Sequence, residues 1–528
     1  MGLFRDEFKA YEFQAEHVAI AYTRPSTLLT WDTGAGKSVA ALALACLMLE
    51  DDRVDNVILV CEKNKLVDTE WPKDIEKFTS IPWGLYYGTP AKRAKLRENL
   101  PTLVLTTYDT IKRDAAVFPP KASKRSKPLP TPGPLLEALE GRRVLLVYDE
   151  TTRLANRTSD THKAHKLFVD TLASGAGLTT LAMTATPMEK DPVSLYNLGR
   201  ILTPHTMPTV SEFEHDYVSS WDIFRNPSRF KNLKADEMTP RPDGTVPIPL
   251  ADRFKGIVLR KRKSDPDVVK MFPKRRELPP LFVDLGKTHR DFYDTVQKIS
   301  QSLSDFEQRQ YVNVLRQIAG HPMALTLAEG DVAKEIVSHV SPDGLKSMGS
   351  AKTDRMLSWC HEVVKDQGAQ AIIFTYFAHT VMPFLQEALE VDGYTVSVNH
   401  GGLSLPAKSM AQKRFKDGET QIFLTSDAGS KGLNLPEATY LLHYERPPLH
   451  SLFVQRSDRI HRIDSLADTV YIYSLVARGT IEEGLYELNL RRNDWSDKLL
   501  GDDETDDTAF LKASDRKLLL KQGRALHT

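Results

Sequence analysis

The sequence predicts an α/β protein with two parallel-sheet lobes in tandem and a helical insertion between them. Short runs of β-branched and aliphatic residues alternate with amphipathic stretches in both halves of the chain, which is typical of βαβ units whose sheet is covered on both faces. A segment rich in proline and charge, residues 203–285, separates the halves. The length of 528 residues also exceeds what one hydrophobic core usually serves.

The apolar runs of the two halves have the length and composition of buried strands. Those of the first half are VDNVILVCE, TLVLTTYD, RRVLLVYDE and LTTLAMTAT. Those of the second half are AIIFTYF, YTVSVNH, TQIFLTS, TYLLHYE and TVYIYSLV. We expect one sheet from each set, with the stretches between the runs forming helices.

The segment between the halves divides into a connector and a helical part. Residues 203–285 are predicted to be a connector, whereas the pattern of residues 286–350 predicts helices. The expected organisation is a first lobe, a connector with the helical insertion, a second lobe and a tail that is acidic and then basic. Their predicted boundaries are 1–205, 206–345, 346–498 and 499–528.

Composition excludes several classes of protein. Hydrophobic content of 41% and charged content of 27% are those of a globular chain. The longest apolar run, Val39 to Leu49, is shorter than the roughly 20 residues of a membrane span, and the amino terminus lacks a signal-peptide pattern. The three cysteines lack metal-ligand spacing. We therefore expect a cytoplasmic protein without membrane contact, whose net charge of zero leaves any nucleic acid to be held by local patches.

The stretch TLLTWDTGAGKSVAALALA combines a strand, a glycine loop and a helix. Gly34 and Gly36 let backbone N–H groups approach phosphate oxygens, and Lys37 can reach the terminal phosphates. The hydroxyl of Ser38 can ligate magnesium. The full phosphate-loop pattern has a glycine where this chain has Trp31, so a glycine-rich turn with an incidental lysine is the alternative. The predicted nucleotide-binding residues of the loop are Thr33, Gly34, Ala35, Gly36, Lys37 and Ser38.

Two adjacent carboxylates, Asp149 and Glu150, end the apolar run LLVY. A nucleotide triphosphatase needs one carboxylate at a strand end to hold magnesium and a second one to polarise the attacking water. An ordinary surface turn is the alternative interpretation. Thr184 and Thr186, within the TATP that ends another run, carry hydroxyls that can sense the state of such a site.

These motifs, in this order, resemble those of superfamily-two helicases, and within them the Swi/Snf-type ATPases. The resemblance covers nearly the whole chain. The matching stretches of the first half are YEFQAEHV, DTGAGKS, VILVCEKNKLVDTEW, TTYDTI, YDETT and TATP. Those that follow are IVLRKRKSDPDV, LRQIAGHP, SAKTDRML, AIIFTYF, TSDAGSKGLNL and QRSDRIHRID.

The resemblance implies two RecA-like lobes that use ATP with Mg²⁺ and act on DNA. It places Gln14 as the residue that recognises adenine and Gln455 in the nucleotide site. Arg459 and Arg462 have the spacing of adjacent turns on one helix, from which guanidinium groups can neutralise charge on the transferred phosphoryl group. In isolation, such a pair of arginines is more often a solvated face.

Contacts to the DNA backbone need hydroxyls, amides and spaced lysines. In the first lobe the candidates are Lys63, Lys65, Thr106, Thr107 and Tyr108. In the second lobe Ser430, Lys431 and Asn434 lie at the family's motif V positions. The basic segment KASKRSKP, residues 121–128, is expected to be a surface loop, with an auxiliary DNA grip as the alternative.

The chain departs from the family pattern at two places that bear on coupling. The family continues Asp-Glu-Ala-His where this chain has Thr151 and Thr152, so Thr152 takes the place of the histidine that helps link the ATP site to the DNA side. We group Thr152 with Thr184 and Thr186 as coupling residues. The usual Trp-Asn-Pro ahead of motif VI is replaced by Pro448, Leu449 and His450.

The sequence therefore predicts a DNA-dependent ATPase, in a compact bacterial or phage form, that translocates on duplex DNA and remodels or reanneals DNA in repair, recombination or replication. A strand-separating helicase is the alternative within the enzyme class, and a catalytically silent DNA-binding scaffold is the alternative outside it. We expect a monomer that acts on duplex or branched DNA in a bacterial or phage-infected cell, together with replication and repair proteins.

Overall fold

The structure is a computed structural model that falls into two compact units, one ending at Val269 and one beginning at Lys270. None of the helices in the described part of the chain is long and apolar enough to span a lipid bilayer. The residues described are 2–5, 10–66, 70–120, 129–185, 192–221, 227–230, 240–302, 305–427, 433, 435–447 and 450–487.

The first unit is built on a parallel sheet flanked by helices. Its strands are β1 (Ser26–Trp31), β2 (Asn56–Cys61), β3 (Trp83–Leu85), β4 (Leu103–Thr107), β5 (Ala116–Val117), β6 (Thr131–Pro132), β7 (Val144–Asp149), β8 (Leu178–Met183), β9 (Val218–Trp221), β10 (Pro227–Phe230) and β11 (Val258–Lys261). Its helices are α1 (Glu12–Thr23), α2 (Lys37–Glu50), α3 (Glu70–Phe78), α4 (Pro90–Glu98), α5 (Tyr108–Asp114), α6 (Pro134–Ala138), α7 (Asp160–Ala173), α8 (Pro192–Leu202), α9 (Val210–Tyr217) and α10 (Leu250–Phe254).

The strand order of this sheet is β11-β1-β8-β7-β2-β4-β3, and each neighbouring pair is parallel. The residues of β1, β2, β4 and β7 are buried along their whole length, because helices cover both faces of the sheet. Continuous burial explains why these strands are nearly unbroken apolar runs in the sequence. The four strand predictions of the first half are confirmed.

The second unit repeats this plan. Its strands are β12 (Lys274–Glu277), β13 (Leu281–Val283), β14 (Ala371–Phe374), β15 (Val396–Asn399), β16 (Ile422–Thr425), β17 (Tyr440–His443) and β18 (Thr469–Ala477). Its helices are α11 (Lys287–Gln301), α12 (Asp305–Gly320), α13 (Asp331–His339), α14 (Pro342–Ser347), α15 (Ala351–Cys360), α16 (Met382–Val391), α17 (Leu405–Lys416) and α18 (His450–Ser457). The described strands follow the order β12-β18-β17-β14-β16-β15, with β13 also pairing β18, and all pairs are parallel.

Residues 286–350 are largely helical, as predicted, and form α11 to α14. Tyr293, Leu315 and Ile318 of these helices share one core with Ile481 and Leu485, which follow β18. The insertion is thus anchored by apolar burial to the second unit.

The segment expected to be only a connector also supplies strands to both sheets. β11 pairs in parallel with β1, bringing Lys261 opposite Trp31, and β12 and β13 both pair with β18. β11 and β12 were not predicted because they are four residues long and carry the charged runs LRK and KRRE on a sheet edge, without the apolar signature of a buried strand. β13 is apolar, but at three residues, LFV, it is too short to stand out in the sequence.

Candidate functional site

All strands of a parallel sheet end at the same edge, where ligands of α/β proteins usually bind. In the first unit this edge carries the glycine loop after β1, the acidic pair after β7 and Thr184 after β8. In the sequence the glycine loop lies more than a hundred residues before the acidic pair and Thr184. The sheet order brings them together, because β8 lies between β1 and β7.

The glycine loop has the backbone shape of an anion cradle. Gly34 and Gly36 have φ values of 82° and 86°, the left-handed region that glycine adopts without strain. A Cβ at Gly36 would lie 2.3 Å from Nε2 of Gln14, so no side chain fits there. Gln14 donates a hydrogen bond from Nε2 to the carbonyl of Ala35 (2.9 Å), which fixes the loop against α1.

Lys37 begins α2 and folds back over the loop. Its Nζ donates to the carbonyl oxygens of Trp31 (2.7 Å) and Asp32 (3.2 Å). Burial lowers the pKa of Lys37, whereas the carboxylates of Glu150 and Asp149 oppose that shift. The lysine and the acidic pair therefore share one electrostatic environment.

Trp31, the departure from the phosphate-loop pattern, lies within β1 and is fully buried. Its indole N–H donates to Nδ1 of His17 (2.9 Å), and its ring contacts Phe13 edge-on at 5.2 Å. Its side chain packs against α1, so the substitution leaves the shape of the glycine loop intact.

Asp149 is the last residue of β7, and its Oδ2 accepts two hydrogen bonds. Nζ of Lys65 and Nε1 of Trp71 both donate to it at 2.9 Å. Glu150 follows with a φ of 57°, an uncommon conformation for a residue with a side chain, and its Oε1 lies 4.0 Å from Nζ of Lys65. Such backbone strain concentrates at functional sites.

A buried aromatic cluster supports the acidic pair from behind. The hydroxyl of Tyr108 donates to the carbonyl of Asp149 at 2.9 Å, and the Tyr108 ring stacks on Tyr148 with centroids 5.9 Å apart. His165 joins both: its Nδ1 lies 3.0 Å from the Tyr148 hydroxyl and its Nε2 3.1 Å from the carbonyl oxygen of Tyr108. Burial lowers the pKa of His165 to about 4, so the ring is neutral at pH 7.

Four predicted DNA-contact residues of the first lobe take other places. Thr106 and Tyr108 are buried, with hydroxyls that donate to carbonyls of Tyr86 and Asp149. Thr107 is buried as the N-cap of α5. Lys65 donates a hydrogen bond to Asp149 at the carboxyl edge of the first sheet. The burial of the three residues of β4 and α5 and the contact of Lys65 with Asp149 argue against side-chain contacts with DNA at these positions, and the four assignments stay predictions.

Lys63 is exposed on the turn after β2, as a DNA contact requires, and its role stays a prediction. Thr184 is buried at the end of β8, where its N–H donates to the carbonyl of Leu29 (3.1 Å). The other residues singled out in the sequence lie outside the described part of the chain. They are Thr186, Ser430, Lys431, Asn434, Pro448, Leu449, the basic segment 121–128 and the side chains of Thr152 and His450.

In the second unit Gln455 lies on α18, but the predicted helical pairing of Arg459 and Arg462 is wrong. The helix ends at Ser457, and the chain continues through turns, with the N–H of Arg459 donating to the carbonyl of Arg456 at 3.1 Å. Nη1 of Arg459 donates to the carbonyl of Leu433 (3.2 Å).

Known families match both units. The model of the SNF2-related domain matches residues 13–338, and that of the helicase conserved C-terminal domain matches residues 354–464. The chain belongs to the SNF2-related family. The resemblance to Swi/Snf-type ATPases is thereby confirmed, and the chain is a Snf2-type member of the superfamily-two ATP-dependent helicases.

Individual relatives of this SNF2-related protein are distant. An uncharacterized ATP-dependent helicase of Bacillus subtilis, YqhH, is 21% identical over 90% of this chain and 76% of its own length. The zebrafish chromodomain-helicase-DNA-binding protein 1-like is 25% identical over 86% of this chain and 40% of its own length, and the chain also spans 40% of an Arabidopsis thaliana DNA helicase, CHR23. The Hef helicase domain of Pyrococcus furiosus superposes with a TM-score of 0.55 at 15% identity, covering 93% of this chain and all of that one. This last likeness supports the predicted two-lobe fold.

Two residues that sequence reasoning missed hold the sites of this SNF2-related protein in shape. Trp71, in the stretch VDTEW, binds Asp149. Arg456 is buried, and its Nε and Nη2 donate to the two carboxylate oxygens of Asp427 at 2.6 Å and 2.7 Å. Arg456 stands three residues before Arg459 in motif VI, so the motif itself was the available signal.

Proposed function

We propose that this protein is a DNA-dependent ATPase that couples ATP hydrolysis to translocation on duplex DNA, and so remodels or reanneals DNA structures. The observation that carries the proposal is the convergence of the glycine cradle, Lys37 and the pair Asp149 and Glu150 at one sheet edge. Phosphoryl transfer depends mainly on positioning and on stabilisation of charge, which this arrangement supplies.

The residues present suit a nucleoside triphosphate with magnesium. The hydroxyl of Ser38 and the carboxylate of Asp149 are hard oxygen donors, which Mg²⁺ prefers. When bound, Mg²⁺ offsets the negative charge of the phosphate oxygens. Glu150 orients and deprotonates the attacking water, and Lys37 leaves its carbonyl partners for the terminal phosphate. Gln14 recognises adenine from its position against the loop.

The second unit contributes cations to the reaction. Arg459 and Arg462 stabilise the charge of the transferred phosphoryl group, and Gln455 assists nucleotide binding. The turn that carries both arginines is braced by Arg462, whose N–H donates to Oγ of Ser465 at 3.0 Å.

DNA is the proposed partner because relatives are named helicases and DNA-binding proteins. Lys63, Ser430, Lys431 and Asn434 are the proposed backbone contacts, and Thr152, Thr184 and Thr186 couple them to hydrolysis. The protein is proposed to act as a monomer on duplex or branched DNA in the cytoplasm of a bacterial or phage-infected cell, alongside replication and repair proteins.

The experiment is a measurement of ATP hydrolysis without DNA and with duplex, single-stranded and branched DNA. We expect duplex and branched DNA to raise the rate and Lys37→Ala to abolish the stimulated rate, with Lys92→Ala on an exposed helix as the matched control. Displacement of a third strand from a triplex without separation of the duplex supports translocation, whereas separation supports a helicase. An ATPase rate that no DNA changes would remove DNA as the partner, and binding of DNA without any hydrolysis would leave the scaffold function.

A further inference from the structure

A cleft of about 560 Å³ opens at the carboxyl edge of the second sheet. It is lined by the segments that follow β14, β15 and β16 and by the end of α12. Its volume lies within the ~300–1,000 Å³ typical of small-ligand sites. All of its described lining residues belong to the second unit.

The aromatic ring of Tyr376 forms part of the cleft wall and is partly exposed. Tyr376 is 38% exposed, and the guanidinium carbon of Arg316 lies 4.4 Å from its ring centroid. The backbone N–H of Tyr376 donates to Oε2 of Glu445 (3.0 Å), and Phe377 contacts the ring edge-on at 5.1 Å. Because Arg316 is buried behind the ring, the exposed surface of Tyr376 faces the cleft. The ring is thereby fixed and ready to stack.

Two neutral polar groups lie in the same lining. Oγ of Ser426 and Oε1 of Gln317 are buried and have no hydrogen-bond partner among the described residues. Buried polar atoms normally find partners, so each indicates a group that binds from outside. A hydroxyl can donate and accept, and an amide oxygen accepts, as a purine or pyrimidine edge requires.

The charged residues among the described lining of the cleft are acidic. The described residues that line it include the acids Glu329 and Asp427 and no lysine or arginine. Arg456 forms an ion pair with Asp427, so its positive charge is already neutralised by that carboxylate. A flat, uncharged ligand with hydrogen-bonding edges fits this lining better than an anion does.

Gly401 and Gly402, which follow β15, are also among the lining residues. A Cβ at Gly402 would lie 3.2 Å from ring atoms of His400 and 3.4 Å from His379. Burial lowers the pKa of His400, and its Nδ1 accepts a hydrogen bond from the N–H of Gly402 (3.2 Å).

We propose that this cleft binds one unpaired nucleobase of the DNA, stacked on Tyr376 and hydrogen-bonded by Ser426 and Gln317. The proposal rests on the proposed function, since it assumes that DNA is the partner. It narrows the substrate class to DNA with an unpaired nucleotide, such as a gap, a bulge or a branch point. Stacking on an aromatic side chain tolerates any base, so the preference is for the unpaired state and not for a sequence.

The test uses the full chain and two duplexes that differ in one position. One carries 2-aminopurine opposite a one-nucleotide gap, and the other carries it in a base pair. Stacking on Tyr376 is expected to quench the fluorescence of the unpaired 2-aminopurine beyond that of the paired one, and the gapped duplex should bind more tightly. Tyr376→Leu is expected to weaken gapped-DNA binding about five- to one-hundredfold more than it weakens perfect-duplex binding, whereas Tyr376→Phe keeps both the quenching and the preference.

The control is Tyr22→Leu, because Tyr22 is also a partly exposed tyrosine with an arginine, Arg53, at 4.4 Å. It lies in the first unit and should change neither readout. Equal binding of the two duplexes without quenching, or quenching that persists in Tyr376→Leu, would overturn the pocket. If the perfect duplex still binds and stimulates hydrolysis, only the pocket fails. If neither duplex binds or stimulates, the proposed function fails with it.

Discussion

The carboxyl edges of the two sheets have the same topology and different chemistry. At the first edge the charged groups already have partners within the protein, with Lys37 bound to carbonyls and Asp149 bound by Lys65 and Trp71. At the second edge the cleft is lined by Tyr376 and by neutral polar atoms without partners in the described part of the chain.

Under the proposed functions, one architecture serves two kinds of ligand. A parallel sheet delivers loops to one edge, and the composition of those loops then selects what binds. Glycines, a lysine and two carboxylates suit phosphates with a metal ion. An aromatic ring with uncharged hydrogen-bonding groups suits a base. In the proposed nucleotide complex, Lys37 and Asp149 must leave their present hydrogen-bond partners to bind phosphate and metal ion. The cleft at the second edge, in contrast, is already open.

The largest expected effect concerns the chemistry of the first edge. Glu150→Gln keeps the size of the side chain and removes the base, so ATP hydrolysis should fall about 10²- to 10⁴-fold while ATP binding is retained. Steady-state kinetics and nucleotide titration measure the two separately. The exposed Glu140→Gln is the control and should hydrolyse ATP normally. Normal turnover of Glu150→Gln would remove this residue from the mechanism.

The second edge depends on the buried pair of Arg456 and Asp427. Arg456→Ala leaves Asp427 without its bidentate partner, so we expect the free energy of unfolding to fall by about 3 kcal/mol. Urea unfolding followed by circular dichroism measures this loss. Arg414→Ala breaks an exposed pair with Glu419 and should cost less than ~1 kcal/mol. Similar small losses for both variants would mean that the cleft is not held by this pair.

Acid should weaken both units through buried neutral histidines. Burial lowers the pKa of His165 and of His321 to about 4, against an unfolded value of 6.5. The unfolded chain therefore binds more protons between pH 6.5 and 4, so stability is lost as the pH falls through that window, by roughly 2 kcal/mol per residue at pH 5.

His321→Phe removes one titrating ring and keeps its stack on Phe384, whose centroid lies 4.7 Å away. Thermal unfolding at pH 7.5 and pH 5 should show a smaller loss in this variant than in the unmodified chain. The exposed His205→Asn is the control and should lose as much as the unmodified chain. An unchanged pH dependence in His321→Phe would refute the assignment.

The smallest expected effect separates the two lysines after β2. Lys65→Ala should lower ATP hydrolysis by about tenfold, because it removes a charge beside Asp149, and it should leave the salt dependence of DNA binding unchanged. Lys63→Ala should instead reduce the slope of that salt dependence by about one. DNA-binding titrations at several salt concentrations measure the slopes. A reduced slope for Lys65→Ala would restore its role as a DNA contact.

Local pattern was sufficient for the parts of the fold that carry a strong signal. The central strands were predictable because burial on both faces demands unbroken apolar runs, and the glycine loop because Gly34 and Gly36 need a left-handed backbone. The edge strands β11 and β12 were not, because their charged residues lack that signature. The end of α18 before Arg459 was missed since the spacing of two arginines does not reveal where a helix stops.

The sequence by itself determined the order of the motifs, the two parallel sheets and the chemical type of the nucleotide site. Only the tertiary structure decided which side chains near the strand ends face a ligand and which face the core. Lys65 reaches Asp149 across 84 residues, and Arg456 reaches Asp427 across 29. Such contacts depend on strand order and register, which bring distant segments together. Thr106 and Tyr108 therefore lie in the core, while Tyr376, which local pattern did not single out, lies open in a cleft.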